Sequence, residues 1–191
     1  MPTGSLSNLE RVLVEGKRKG ESPGSGAGGP QMCGDIDMRI ARDGTWHYMG
    51  SPIGRKPLVR LFASVLKRDE SGDFWLITPA EMCRIRVDDA PFTAVAMEVH
   101  GEGAGRTLEF RTNLDEKVTA GPDHPIRVDI DPETGEPAPY ILVREGLEAL
   151  IVRSVFYDLV EIGEEMPSDG RTVLGVRSGG EFFEIGSLDD A

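Results

Sequence analysis

Polar and apolar residues alternate along most of this chain, and twice the alternation gives way to a helical stripe. Ile36, Met38 and Ile40 alternate with Asp37 and Arg39 ahead of the turn Arg42-Asp43-Gly44. Ninety positions on, Ile126, Val128 and Ile130 do the same ahead of Asp131-Pro132-Glu133-Thr134-Gly135. A period of two predicts half-buried strands. Leu58, Leu61, Phe62, Val65 and Leu66 then follow the spacing of one buried helix face, and so do Val152, Val155, Phe156, Leu159 and Val160. The pattern predicts a duplicated strand–turn–strand–helix unit and an α+β fold with mostly antiparallel sheets. Two half-domains of this kind meet at a junction, where small molecules usually bind.

Between and around these units the reading is mostly β. Phe74 to Ile77 reads as a buried strand, and Cys83, Ile85 and Val87 alternate with Arg84 and Arg86. Val95, Met97 and Val99 form another half-exposed strand, as do Leu108 and Phe110. Gly101-Glu102-Gly103-Ala104-Gly105 resembles a dinucleotide loop, but it joins two strands and reads as a hairpin turn. A last hairpin, from Val173 to Ile185, turns at Gly179-Gly180. At the other end, residues 7–15 read as a short amphipathic helix, followed by a Gly- and Ser-rich linker. The expected organisation is an N-terminal helix and flexible linker (1–32), an N-terminal half-domain (33–80), a β-rich C-terminal half-domain (81–163), and a terminal hairpin and tail (164–191).

Composition narrows the partners. The chain has 191 residues, 39% hydrophobic and 28% charged, an ordinary soluble globular balance. A net charge of -12 disfavours nucleic acid and an anionic membrane surface, since both need clustered Lys and Arg. No apolar run approaches a membrane span, and residues 1–10 lack the basic start and apolar core of a secretory signal. Cys33 and Cys83 lie outside any Cys-x-x-Cys motif and read as two thiols in a reducing compartment, with a structural disulfide as the alternative. The expected location is the cytoplasm.

Candidate chemistry is sparse. Arg55 and Lys56 precede a helix start at Pro57, the end that carries positive partial charge, and no Ser, Thr, Asp or Asn caps it. A bound anion at the helix end would resolve both oddities, against the plainer reading of a solvated basic pair. Trp46 and Tyr48 share a strand face and could stack on a base, although such a pair more often packs on a core. Arg153 and Tyr157 lie beside the second helical stripe, where an interdomain contact is the plainer reading. Arg39, Arg84 and Arg86 are weaker anion candidates on polar strand faces. Asp131 to Gly135 reads as a turn rather than a metal loop, and His47, His100 and His124 lack zinc-ligand spacing. No catalytic residues, metal or cofactor are assigned.

Several segments together resemble a known bacterial family. They are Gly34 to Trp46, Gly50-Ser51-Pro52-Ile53, Leu58 to Phe62, Phe74 to Pro79, Arg153 to Tyr157 and Gly179 to Phe183. The family is domain of unknown function 1285, and the resemblance spans residues 33–186. It implies a duplicated core, a C-terminal half superficially like a pleckstrin-homology domain, a nucleotide-like ligand at the domain interface and a role in signal transduction. It implies no catalytic residues. The leading expectation is a non-enzymatic binding protein for a small anionic ligand, with Arg55, Lys56, Trp46, Arg153 and Tyr157 as ligand-binding residues. A hydrolase acting on a phosphorylated small molecule and a protein-interaction adaptor are the alternatives.

Overall fold

Strands, not helices, account for most of the ordered backbone in the computed structural model, which describes residues 30–188. The helix expected at 7–15, the linker as far as residue 29 and the acidic residues 189–191 lie outside the described residues. The chain divides into two units after Asp88.

In the first unit, β1 (Gln31–Ile40), β2 (Trp46–Tyr48) and β3 (Ser51–Pro52) form one meander, and β4 (Leu66–Arg68), β5 (Phe74–Ile77) and β6 (Glu81–Val87) form another. They join into one sheet in the order β3-β2-β1-β6-β5-β4. The β1–β6 pair is parallel, whereas the other neighbours run antiparallel. The boundary expected after residue 80 therefore moves to Asp88, because β6 completes the first sheet instead of opening the second half.

Helix α1 (Lys56–Ala63) links β3 to β4 and buries Leu58, Val59, Phe62 and Ala63. Phe62 is fully buried and stacks on Trp46 at 6.2 Å between ring centroids. The helix ends sooner than the stripe predicts. Ser64 Oγ donates to the Leu61 carbonyl at 2.6 Å, a local bond that competes with helix continuation. Val65 and Leu66, expected as the last turn of the stripe, lead into β4, where Leu66 pairs with Leu76.

In the second unit, β7 (Phe92–His100), β8 (Thr107–Thr112) and β9 (Lys117–Thr119) form a meander, as do β10 (Ile126–Ile130), β11 (Pro137–Arg144) and β12 (Leu147–Ile151). The sheet order is β10-β11-β12-β7-β8-β9, and β12 pairs with β7 in parallel. Helix α2 (Arg153–Glu161) follows, burying Val155, Phe156 and Leu159. A separate three-stranded sheet of β13 (Glu164–Ser168), β14 (Arg171–Ser178) and β15 (Glu181–Ser187) ends the described chain.

This layout corrects the expected fold. The protein is mostly β, with three sheets and two short α-helices among the described residues, and it is not an α+β duplication of strand–helix units. The helices are not equivalent: α1 follows the third strand of its unit, whereas α2 follows the sixth. What the two six-stranded sheets share is strand order, a pair of meanders joined by a parallel first and last strand, so β1 corresponds to β7 and not to β10. Hairpins followed by amphipathic helices recur on binary pattern alone, which is why the ninety-residue offset misleads. In place of a pleckstrin-homology-like half, the C-terminal unit forms a six-stranded sheet with a parallel central pair and a separate meander.

One buried hydroxyl ties that terminal meander to the second sheet. Ser178 is fully buried; its Oγ donates to the Ala120 carbonyl at 2.6 Å and accepts from the Leu108 amide at 2.8 Å. The adjoining Gly179-Gly180 turn has φ +59° and +85°, which suits a tight hairpin. Gly179 also donates its amide to the Arg106 carbonyl. Ser178→Ala leaves two buried backbone groups unpaired and should cost about 1–3 kcal/mol in urea unfolding. An unchanged midpoint would mean that this hydroxyl does not hold the meander.

Candidate functional site

The outward face of the first sheet carries charge in alternation: Asp35, Asp37 and Arg39 on β1, and Arg84 and Arg86 on β6. Their inward neighbours Met38, Ile40, Cys83 and Ile85 are buried. The two strands do not keep step. Asp35 pairs with Arg84 and Arg39 with Arg86, so β1 spends four positions where β6 spends two. A bulge of this kind parts the strands locally. It leaves an open concavity of about 300 Å³, lined by Asp35 to Met38, Arg84 to Arg86 and Asp73.

Arg84 is fixed at one side. It binds Asp35 through two parallel hydrogen bonds, Nε to Oδ1 at 2.6 Å and Nη2 to Oδ2 at 2.9 Å, and reaches Asp73 at 3.1 Å. Its guanidinium lies over the Trp75 ring at 5.9 Å, and Trp75 Nε1 donates to Asp69 at 2.7 Å. Two carboxylates on one guanidinium push its pKa further above the ordinary arginine value, chiefly through the hydrogen bond with Asp35. Arg39 makes a similar clamp with Asp88, with Nε 2.8 Å from Oδ1 and Nη2 on Oδ2. Arg86 differs. It is exposed, lines the concavity and makes no side-chain hydrogen bond or ion pair among the described residues. The exposed Asp37 carboxylate on the same rim also lacks such a partner among them.

A covalent bond secures the end of this strand pair. Cys33 and Cys83 form a disulfide with Cα atoms 5.2 Å apart, within the usual range, and close a loop of 50 residues. The alternative of a structural disulfide thus replaces the reading of two thiols. Cys83 directly precedes Arg84, so the bridge anchors β1 to β6 where the concavity begins.

The five ligand-binding residues expected from sequence fall into different places. Arg55 occupies the N-cap of α1 without a side-chain cap, and Lys56 is the first helical residue. The Leu58 and Val59 amides both turn back to the Arg55 carbonyl, and Pro57 has no amide, so little of this helix end remains to receive an anion. Trp46 is buried under Phe62 and presents no ring face to solvent, the result of its inward place on β2. Arg153 begins α2, where it meets Glu136 at 3.5 Å, and Tyr157 is exposed on the same helix. Arg55, Lys56 and Trp46 belong to the first unit, whereas Arg153 and Tyr157 belong to the second.

Two measurements test this geometry. The Arg84 hydrogen bonds hold the Asp35 carboxyl below the usual carboxylate range, while burial opposes them. A lowered folded pKa means that the clamp stabilises fully above the unfolded carboxylate value and fades as pH falls through the lowered one. NMR titration should find Asp35 ionising below the range of a free aspartate, and moving back up toward it in Arg84→Ala. Thiol titration of the denatured, unreduced protein should find no free thiol, and Cys33→Ala should cost about 2–4 kcal/mol. Two reactive thiols would overturn the bridge.

Comparison with known proteins places this architecture. Residues 27–90 match the family described as domain of unknown function (DUF1285), N-terminal domain. Residues 91–185 match protein of unknown function (DUF1285), C-terminal domain. A crystal structure of a DUF1285 family protein from Silicibacter pomeroyi DSS-3 is similar at 49% identity and a TM-score of 0.77, over 93% of this chain and 96% of that one. A second, from Shewanella baltica OS155, shares the fold at 24% identity and a TM-score of 0.53, over 66% of this chain and 91% of that one. No curated protein matches.

Proposed function

This chain belongs to the DUF1285 family, and from that premise we propose that it is a non-enzymatic binding protein for a small anionic ligand, seated in the concavity between β1 and β6. The observation that carries the reading is the contrast between two arginines on one strand. Arg84 is saturated by Asp35 and Asp73, whereas Arg86 keeps its donors available at the same concavity. A guanidinium offers five N–H groups in a fork that matches a carboxylate or phosphate.

The surroundings constrain the ligand further. Three aspartates against two arginines give the lining a net negative charge, so a bare anion is poorly matched. The favoured ligand carries an anionic group for Arg86 and N–H or O–H donors for Asp37. A nucleotide-like molecule has both, in its phosphate and in its base and sugar. A volume of about 300 Å³ suits part of such a molecule, with the remainder in solvent. Ligand-dependent signalling would be the corresponding role.

Thermal unfolding against a panel of nucleotides, sugar phosphates and carboxylates tests this reading. A ligand at about 100 times its Kd adds about 2.7 kcal/mol and raises Tm by several degrees. Arg86→Ala should abolish the shift while leaving the unliganded Tm unchanged. Absence of a shift at millimolar concentrations across the panel, or an equal shift in Arg86→Ala, would sink the proposal.

A further inference from the structure

We propose a second site, independent of the concavity: a divalent metal site of the zinc class on the exposed face of the β7–β8 hairpin, formed by Glu98, His100 and Glu109. Glu98 and His100 stand two positions apart on β7, so they project from the same face. Glu109 on β8 sits directly opposite Glu98 in the antiparallel register. One ligand atom from each residue lies within 4.8 Å of the other two, and His100 Nε2 is 3.8 Å from Glu98 Oε2. Bonds of about 2.0–2.1 Å in a tetrahedral site put ligand atoms roughly 3.4 Å apart. Glu98 and His100 have more than half of their side-chain surface exposed, so rotamer changes alone can close that difference. One imidazole and two carboxylates, with a fourth position left to water, are a donor set suited to zinc.

The charge arrangement also calls for a cation. Like charges directly opposite on neighbouring strands repel, and here two glutamates occupy such a pair. Lys117 on β9 meets part of this demand, with Nζ 2.6 Å from Glu109 Oε1. A metal ion on Glu109 therefore competes with the Lys117 ammonium for the same carboxylate. Removing that ammonium should tighten metal binding.

Titration of the full chain with Zn²⁺ against a chromophoric chelator, and with Co²⁺ by visible absorption, provides the test. The wild-type protein should bind one ion that His100→Ala loses, with at least a tenfold fall in affinity. Lys117→Met should tighten binding severalfold, and unfolding without metal should confirm that each variant is folded. Equal Zn²⁺ affinity in wild type and His100→Ala would overturn the site. Unchanged or weaker binding in Lys117→Met would overturn the competition, and with it the assignment of Glu109 as a ligand.

Discussion

Each six-stranded sheet depends on one parallel strand pair at its middle. Without β1 against β6, the first unit would be two separate three-stranded ribbons, and without β7 against β12 the second would be the same. The antiparallel neighbours close through short local turns. The parallel pair instead joins the first and last strand of its sheet, so the intervening chain must be laid down before it can form. The apolar faces follow from this closure. Met38 and Ile40 on β1 and Cys83 and Ile85 on β6 reach the same buried side because the two strands are neighbours.

The candidate site grows out of an irregularity in the same pair. A parallel ladder in perfect register would bring Asp37 alongside β6 and leave no recess. The extra residues of β1 open a gap, and the charged faces on either side line it. Arg84 sits in the lining between two carboxylates, and the strands beside the recess are further tied by Arg39 on Asp88 and by the Cys33–Cys83 bridge. Within that surround, Arg86 and Asp37 are the groups that the proposed ligand would meet.

Much of the local structure was legible in sequence. The alternation of Cys83, Ile85 and Val87 with two arginines marks β6, and Phe74 to Ile77 matches β5. The Gly179-Gly180 turn is visible because two adjacent glycines suit two positive φ values. The partnership of β1 with β6 was not legible, since nothing in either segment names a strand some 50 residues away. Arg84 and Arg86 look equivalent in sequence, and only the placement of Asp35 on the neighbouring strand and of Asp73 on a different loop separates them. The helical stripes misled for a related reason. Val65 and Leu66 fit a helix face by spacing, but a β-branched residue and its apolar neighbour serve a strand as well, and Ser64 decides between the two.

The Ser178 contact has a consequence for chains still being made. Leu108 and Ala120 lie far upstream of the residue that satisfies their backbone groups. Until Ser178 emerges, the second sheet can assemble its strands yet must leave an amide and a carbonyl without their interior partner. A chain that stops short of Ser178 therefore leaves these two buried backbone groups without that partner. The terminal meander thus supplies from its own strand the hydrogen bonds that the second sheet lacks at Leu108 and Ala120.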